Sequence, residues 1–326
     1  MMKVGIMSFA HMHAYSYADC LKQVDGVELI GISDENEERG SQAAKQYSTT
    51  FYRTDAELLA QDLDAVIICS ENVKHKDMVI QAARAKKHVL CEKPIATSVE
   101  DATEMIRVCE EEGVILQTAF PVRFSEPMQQ LKKAVEKALI GEIVAIRSTN
   151  RGQNPGGWFI EKDRSGGGAV LDHTVHMVDI MRWLLNEEIS EVTAEVDRFF
   201  QDHDIDDAGL LTLVFENGVI ASHDASWSRS KNNPTWGDVT IELIGTKGTL
   251  RADAFKEHIK IFSSTGKAYQ HTLYAKDMDL GLIEDFIQTV REKRTPSITG
   301  FDGLKAMEVA LAAYASGEKK QPIKLG

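Results

Sequence analysis

From residue 3 to residue 118 the chain alternates between two hydrophobic textures. Continuous apolar runs of five to seven residues fall at 3–8, 27–33, 64–70, 87–91 and 114–118. Between them lie mixed stretches at about 13–24, 36–46, 73–85 and 99–112, whose apolar positions recur with helical spacing. Short, wholly apolar runs are what strands covered on both faces look like. Their alternation with helices predicts a series of βαβ units and a parallel sheet, with ligands bound at the C-terminal strand ends.

Beyond residue 120 the pattern changes. Residues 126–139 read as a helix and 143–150 as a strand; 151–168 are irregular and rich in glycine; 169–185 read as a helix. Strand-like runs then follow with little helix between them, at 192–199, 209–215, 219–227, 238–244, 249–252 and 258–262. Turn dipeptides such as Asn217-Gly218 and Lys247-Gly248 separate some of them. Two helices at about 278–293 and 301–316 close the chain. The reading is an α/β protein in two parts: a dinucleotide-binding domain over 1–119, and an α+β domain with a mainly antiparallel sheet over 120–326.

Composition agrees with two soluble domains. The 326 residues are 43 % hydrophobic and 27 % charged, with 37 basic and 50 acidic side chains and a net charge of −13. The acid surplus is shared: residues 1–119 hold 12 basic and 20 acidic groups, the remainder 25 and 30. Such a surface excludes nucleic acid or an anionic membrane as main partner, but says little about a small substrate in a cleft. Of the four cysteines none forms a Cys-x-x-Cys pair, and no apolar segment has membrane-spanning length, so a reduced, cytoplasmic protein is expected.

Candidate chemistry gathers at three places. At the first strand–helix junction Ser8, Ala10 and His13 stand where a glycine fingerprint has its three glycines; Ser8 and Ala10 are small enough for a pyrophosphate to approach. Asp34 ends the second run, where a carboxylate can hold the adenosine ribose or cap the next helix, and Asp34-Glu35 offers no arginine for a 2′-phosphate. NAD is therefore expected over NADP. His11 and His13 are read as a cap and a loop contact, and no metal is assigned. Next, Lys93 in Glu92-Lys93-Pro94 follows the fourth run, where its ammonium can bond a substrate oxygen. Finally, Asp172 and His176 lie four apart on a helix entered through Gly166-Gly167-Gly168, either as a proton-handling pair or as a helix-stabilising one.

At this point the sequence resembles the Gfo/Idh/MocA oxidoreductases, which include inositol and glucose–fructose dehydrogenase-like enzymes. The matching residues are His75 after Ser70-Glu71-Asn72, the Glu92-Lys93-Pro94 motif, Arg123-Phe124 with Pro127, the helix bearing Asp172 and His176, and the closing Phe301-Asp302-Gly303-Leu304. The resemblance implies a Rossmann domain followed by a domain whose open sheet forms a homodimer or homotetramer. It implies Lys93, Asp172 and His176 as the catalytic group. It also implies a cofactor site of Ser8, Phe9, Ala10, His11, Asp34, Ser70, Asn72, His75, Glu92, Lys93 and Arg123. Two departures stand out: the altered glycine loop, and Glu71, a negative charge where the cofactor lies. Phe120, Arg151, Trp158 and His173 are substrate candidates. The expected reaction is oxidation of a secondary hydroxyl on a sugar, cyclitol or sugar derivative. The alternatives are a lyase or redox-neutral enzyme of the same fold, and an NAD-responsive regulator.

Overall fold

The computed structural model describes residues 1–233, 235–256, 258–262, 269–273 and 277–326. The chain divides into two compact units. The first holds Met1–Pro121, Asp163–Gly166 and Asp279–Met307; the second holds Val122–Lys162, Gly167–Met278 and Glu308–Gly326. The single crossing expected at residue 119 is thus amended to several, because 163–166 and 279–307 pack with the N-terminal unit.

In the first unit the chain runs β1 (Met2–Met7), α1 (His13–Leu21), β2 (Val27–Ser33), α2 (Glu37–Tyr47), β3 (Thr50–Tyr52), α3 (Asp55–Leu59), β4 (Ala65–Ile68), α4 (His75–Arg84), β5 (His88–Cys91), α5 (Val99–Glu112) and β6 (Leu116–Thr118). All neighbours pair parallel, in the order β3-β2-β1-β4-β5-β6. This is the doubly wound order, and it reverses between β1 and β4. The apolar runs become central strands, with Val4, Ile6, Val66, Ile67, Val89 and Leu90 fully buried. β3 and α3 had no counterpart in the sequence reading. α3 nonetheless begins with a readable capping box, Thr54 with Glu57.

In the second unit come α6 (Glu126–Glu136), β7 (Ile143–Arg151), the short α7 (Lys162–Ser165) at the unit boundary, α8 (Ala169–Leu185), β8 (Ile189–Asp197), β9 (Ala208–Phe215), β10 (Ile220–Ser226), β11 (Asp238–Gly245), β12 (Gly248–Asp253), the hairpin β13 (His258–Phe262) and β14 (Tyr269–Leu273), then α9 (Met278–Glu292), α10 (Gly300–Lys319) and β15 (Ile323–Lys324). Most of α9 and the first turns of α10 fall in the first unit. Seven strands form one open sheet, β12-β11-β7-β10-β9-β8-β15, antiparallel except between β7 and β10. α8 packs on β7, β9 and β10 and is buried along nearly its whole length. Inward positions of β9 and β10 alternate with outward ones, so one sheet face is covered by α8 and the other carries the exposed Leu210 and Ile220. Among the described residues no helix is long and apolar enough to cross a membrane.

Candidate active site

The first unit builds a polar groove at the C-terminal ends of β1, β2 and β4, lined by Ser8, Asp34, Glu35, Ser70, Glu71 and Lys74 among others. Ser8 has a φ of 70°, the left-handed backbone that a glycine fingerprint ordinarily supplies. Its hydroxyl accepts the Ala10 N–H at 3.1 Å, closing the loop on itself. The Phe9 ring is buried against Tyr15 and Tyr47, with centroids 5.0 and 6.0 Å away, so Phe9 faces the groove only through its backbone.

Asp34 is buried at the end of β2, and all its hydrogen-bonding capacity is engaged. Oδ2 accepts the Phe9 N–H at 2.7 Å and Oδ1 the Asn36 N–H at 2.8 Å. Arg39 adds a bidentate pair, Nε to Oδ2 at 2.8 Å and Nη2 to Oδ1 at 2.7 Å. The helix cap of α2 is the neighbouring Asn36, which accepts the Arg39 N–H. The statement that this strand end lacks an arginine is therefore corrected: Asn36 starts the helix so that Arg39 folds back onto Asp34.

Glu71 is also not the bare charge the sequence suggested. Its buried carboxylate is bonded by Arg164 and paired with Lys74. Burial pushes it up, but its own backbone N–H, Arg164 and Lys74 outweigh that and hold it below the ordinary range. Next to it Asn72 donates to the Ser165 carbonyl at 2.8 Å. His75, fully buried, sets Nδ1 against the Pro94 carbonyl at 2.9 Å and Nε2 against the Ser70 carbonyl at 3.4 Å. It thereby ties the Glu-Lys-Pro turn to the end of β4, a structural task, and burial lowers its proton affinity.

Glu92 is completely buried. Oε1 accepts from the Tyr17 hydroxyl at 2.5 Å and meets His13 Nδ1 at 2.9 Å, while Oε2 accepts the Lys93 N–H at 3.0 Å. Burial pushes this carboxyl up, but His11, His13 and Lys93 together hold it well below the ordinary range. Lys93 is 5 % exposed and precedes a cis peptide to Pro94. Tyr17 had escaped the sequence reading; its signal was its place one helical turn after His13. Phe120 is fully buried.

The second unit presents α8. Its N-terminus is capped from afar by Asp206, whose Oδ1 accepts the Gly168 N–H at 2.9 Å and Oδ2 the Val170 N–H at 2.8 Å. The Tyr314 hydroxyl accepts from Gly168 and Leu171 and donates to Asp206 at 2.9 Å. A Cβ on Gly168 would lie 2.0 Å from the Asp206 carbonyl oxygen, which explains the third glycine of the run.

On the buried face of this helix Asp172, His173 and His176 are each at most 9 % exposed. Asp172 Oδ2 lies 3.3 Å from His173 Nε2 and accepts the Trp227 indole N–H at 3.3 Å. His173 and Asn150 lock each other: the imidazole Nδ1 meets the Asn150 carbonyl at 2.9 Å, and the Asn150 amide donates to the His173 carbonyl at 3.1 Å. Trp227, which flanks a polar loop and was expected to reach either the pocket or a neighbouring subunit, thus joins the site together with Asn150, which the sequence reading did not single out.

Other candidates fall elsewhere. Arg123, expected at the cofactor, is bound bidentately to Asp179 of α8 at 2.7 and 2.5 Å, both groups being buried. Trp158 is buried and stacks on Phe159 at 3.9 Å, so it packs its loop down. Arg151 is half-buried on the sheet, with Nε 3.1 Å from Asp238 Oδ1.

Residues 2–120 match a family described as an oxidoreductase family with an NAD-binding Rossmann fold, and residues 128–251 match the GFO/IDH/MocA C-terminal domain. The chain is 31 % identical to myo-inositol 2-dehydrogenase of Thermotoga maritima, over 99 % of this chain and 98 % of that protein. It is 34 % identical to 2,7-anhydro-N-acetylneuraminate hydratase of Escherichia coli over 61 % of this chain and 54 % of that one. Its fold matches the NAD complex of GenD2 from gentamicin A biosynthesis with a TM-score of 0.92 at 23 % identity, covering 100 % of this chain and 96 % of that one.

Proposed function

The chain belongs to the Gfo/Idh/MocA oxidoreductases and has their NAD-binding Rossmann domain, and from that premise we propose that it reversibly oxidises a secondary hydroxyl of a cyclitol or sugar. One observation carries the reading within this chain. α8 is a core helix, apolar at most buried positions, yet it buries Asp172, His173 and His176 together. Buried ionisable groups cost stability unless they are paired or used.

The residues present fit the nucleotide. Ser8 supplies the turn conformation, and Asp34 is a ribose-holding carboxylate once Arg39 has released it. Glu92 and Lys93 bind the nicotinamide ribose. Bound NAD supplies the hydride acceptor. His176 takes the hydroxyl proton, Asp172 orients the proton-handling group, and the Lys93 ammonium bonds the reacting oxygen. Trp227 and His173 hold Asp172 in place.

Screening cyclitols and sugars for NADH formation tests the substrate class. His176→Ala is expected to keep NAD affinity and lose about 10²–10⁴-fold in kcat; undiminished kcat would overturn the assignment. The hydratase relative favours one rival, a redox-neutral reaction with cofactor retained. Tight NAD binding with product formed and no free NADH would select it. We also read the exposed sheet face with Leu210 and Ile220 as a homo-oligomer surface, to be checked by light-scattering mass.

A further inference from the structure

His11, His13 and Glu92 form a second constellation within the first unit, and of the three Glu92 is shared with the nicotinamide-ribose contact proposed above. Their ligand-type atoms all lie within 4.8 Å of one another. The two imidazole rings are 4.4 Å apart, centroid to centroid. His11 comes from the loop after β1, His13 from the first residue of α1, and Glu92 from the residue after β5. Three separate backbone positions, two of them on a well-buried sheet end, therefore aim donors at one point.

We propose that His11, His13 and Glu92 bind a divalent transition ion, with Zn²⁺ or Co²⁺ as the fitting class. Two imidazoles and one carboxylate are a common three-ligand set for such ions, leaving a fourth position for water. The 30 % exposure of the His13 side chain provides that open side, while Glu92 is sealed. Tetrahedral bonds of about 2.0–2.1 Å place ligand atoms roughly 3.3 Å apart. His13 Nδ1 and Glu92 Oε1 stand at 2.9 Å and open by a few tenths of an ångström, while the ligand atom of His11 lies within 4.8 Å of both.

The supporting contacts are of the kind that orient ligands. The Tyr17 hydroxyl donates to Glu92 Oε1 and the Lys93 N–H to Oε2, fixing the carboxylate. There is an identifiable cost. His11 Nδ1 accepts the His13 N–H at 3.2 Å, so its proton sits on Nε2 in the ion-free chain. Coordination through Nε2 moves that proton to Nδ1 and gives up a long bond between residues two apart. The ion also takes the place of the proton between His13 and Glu92, and it gives the buried carboxylate a full counter-charge.

The experiment uses full-length, tag-free, chelator-treated protein without nucleotide. Co²⁺ titration followed by visible absorption should give one tetrahedral site per chain, and gel filtration with metal analysis should retain one Zn²⁺. His13→Ala and Glu92→Gln, checked for folding by circular dichroism, should each weaken binding at least tenfold. His11→Asn, the mildest change, serves if either variant fails to fold. Absence of a retained ion in the parent chain, or equal affinity in the folded variants, overturns the proposal. These readouts need no turnover, so they stand or fall apart from the dehydrogenase reading.

Discussion

At the scale of single residues the decisive facts are partners, not identities. Asp34, at the end of an apolar run, was expected to hold the adenosine ribose or cap a helix, yet its four acceptor positions are taken by two backbone N–H groups and the Arg39 fork. A carboxylate offers about four such positions, so the proposed ribose contact requires Arg39 to give way. Arg39→Ala should therefore lower the NAD Kd several-fold in a calorimetric titration. A raised Kd would mean that Arg39 holds the nucleotide instead of competing with it. Glu71 teaches the same lesson: the groups that neutralise it include Arg164, which is 93 positions away. Lys93, Asp172 and His176 could be picked out as candidates because strand ends and helical spacing are local signals. Trp227 on Asp172 and Arg164 on Glu71 were not, because those pairings exist only once the chain has folded.

At the scale of elements, what has a period was legible and what lacks one was not. The helix at 99–112 and the helix at 169–185 appear with those bounds, since each carries several turns of apolar spacing. β3 and β15, of three and two residues, are too short to express alternation. α8 is tied to the turn before α6 by a pair whose arginine the family resemblance had placed at the cofactor. Arg123, in the turn preceding α6, grips Asp179 near the middle of the helix, and Asp179 is wholly buried. Removing one partner leaves a charge in the core, which typically costs about 3–5 kcal/mol. Arg123→Met should lower unfolding free energy by about that much in urea titration. The double change Arg123→Met with Asp179→Leu should recover much of it. A loss below about 1 kcal/mol for the single change would show that Asp179 is satisfied without Arg123.

At the scale of the whole molecule, buried titratable groups set an acid limit on stability. His75 in the first unit and His223 in the second are both buried; burial lowers His75, and burial with His173 nearby brings His223 down to about 3. In the unfolded chain histidine titrates near about 6.5. Between that value and the folded one the unfolded state binds more protons, so stability falls as pH falls. Glu92 acts in the same direction lower down. Its folded proton affinity is below the 4.5 reference, so its contribution is present above that value and is lost as pH drops through the folded one. His13 runs the other way. Against the penalty of burial, Glu92 raises it above the 6.5 reference, so its contribution is complete below that pH and fades as pH rises. Stability should therefore decline steadily from about pH 6.5 toward about pH 4. His223→Asn supplies the test, because it removes one titrating group while keeping a polar partner for the Ser148 hydroxyl, now 2.9 Å from the imidazole. Whatever the change in its urea stability at a single pH, the slope against pH should be shallower than in the parent chain. An unchanged slope would mean that His223 takes up its proton in the folded state and that the acid limit lies with His75 and the carboxylates.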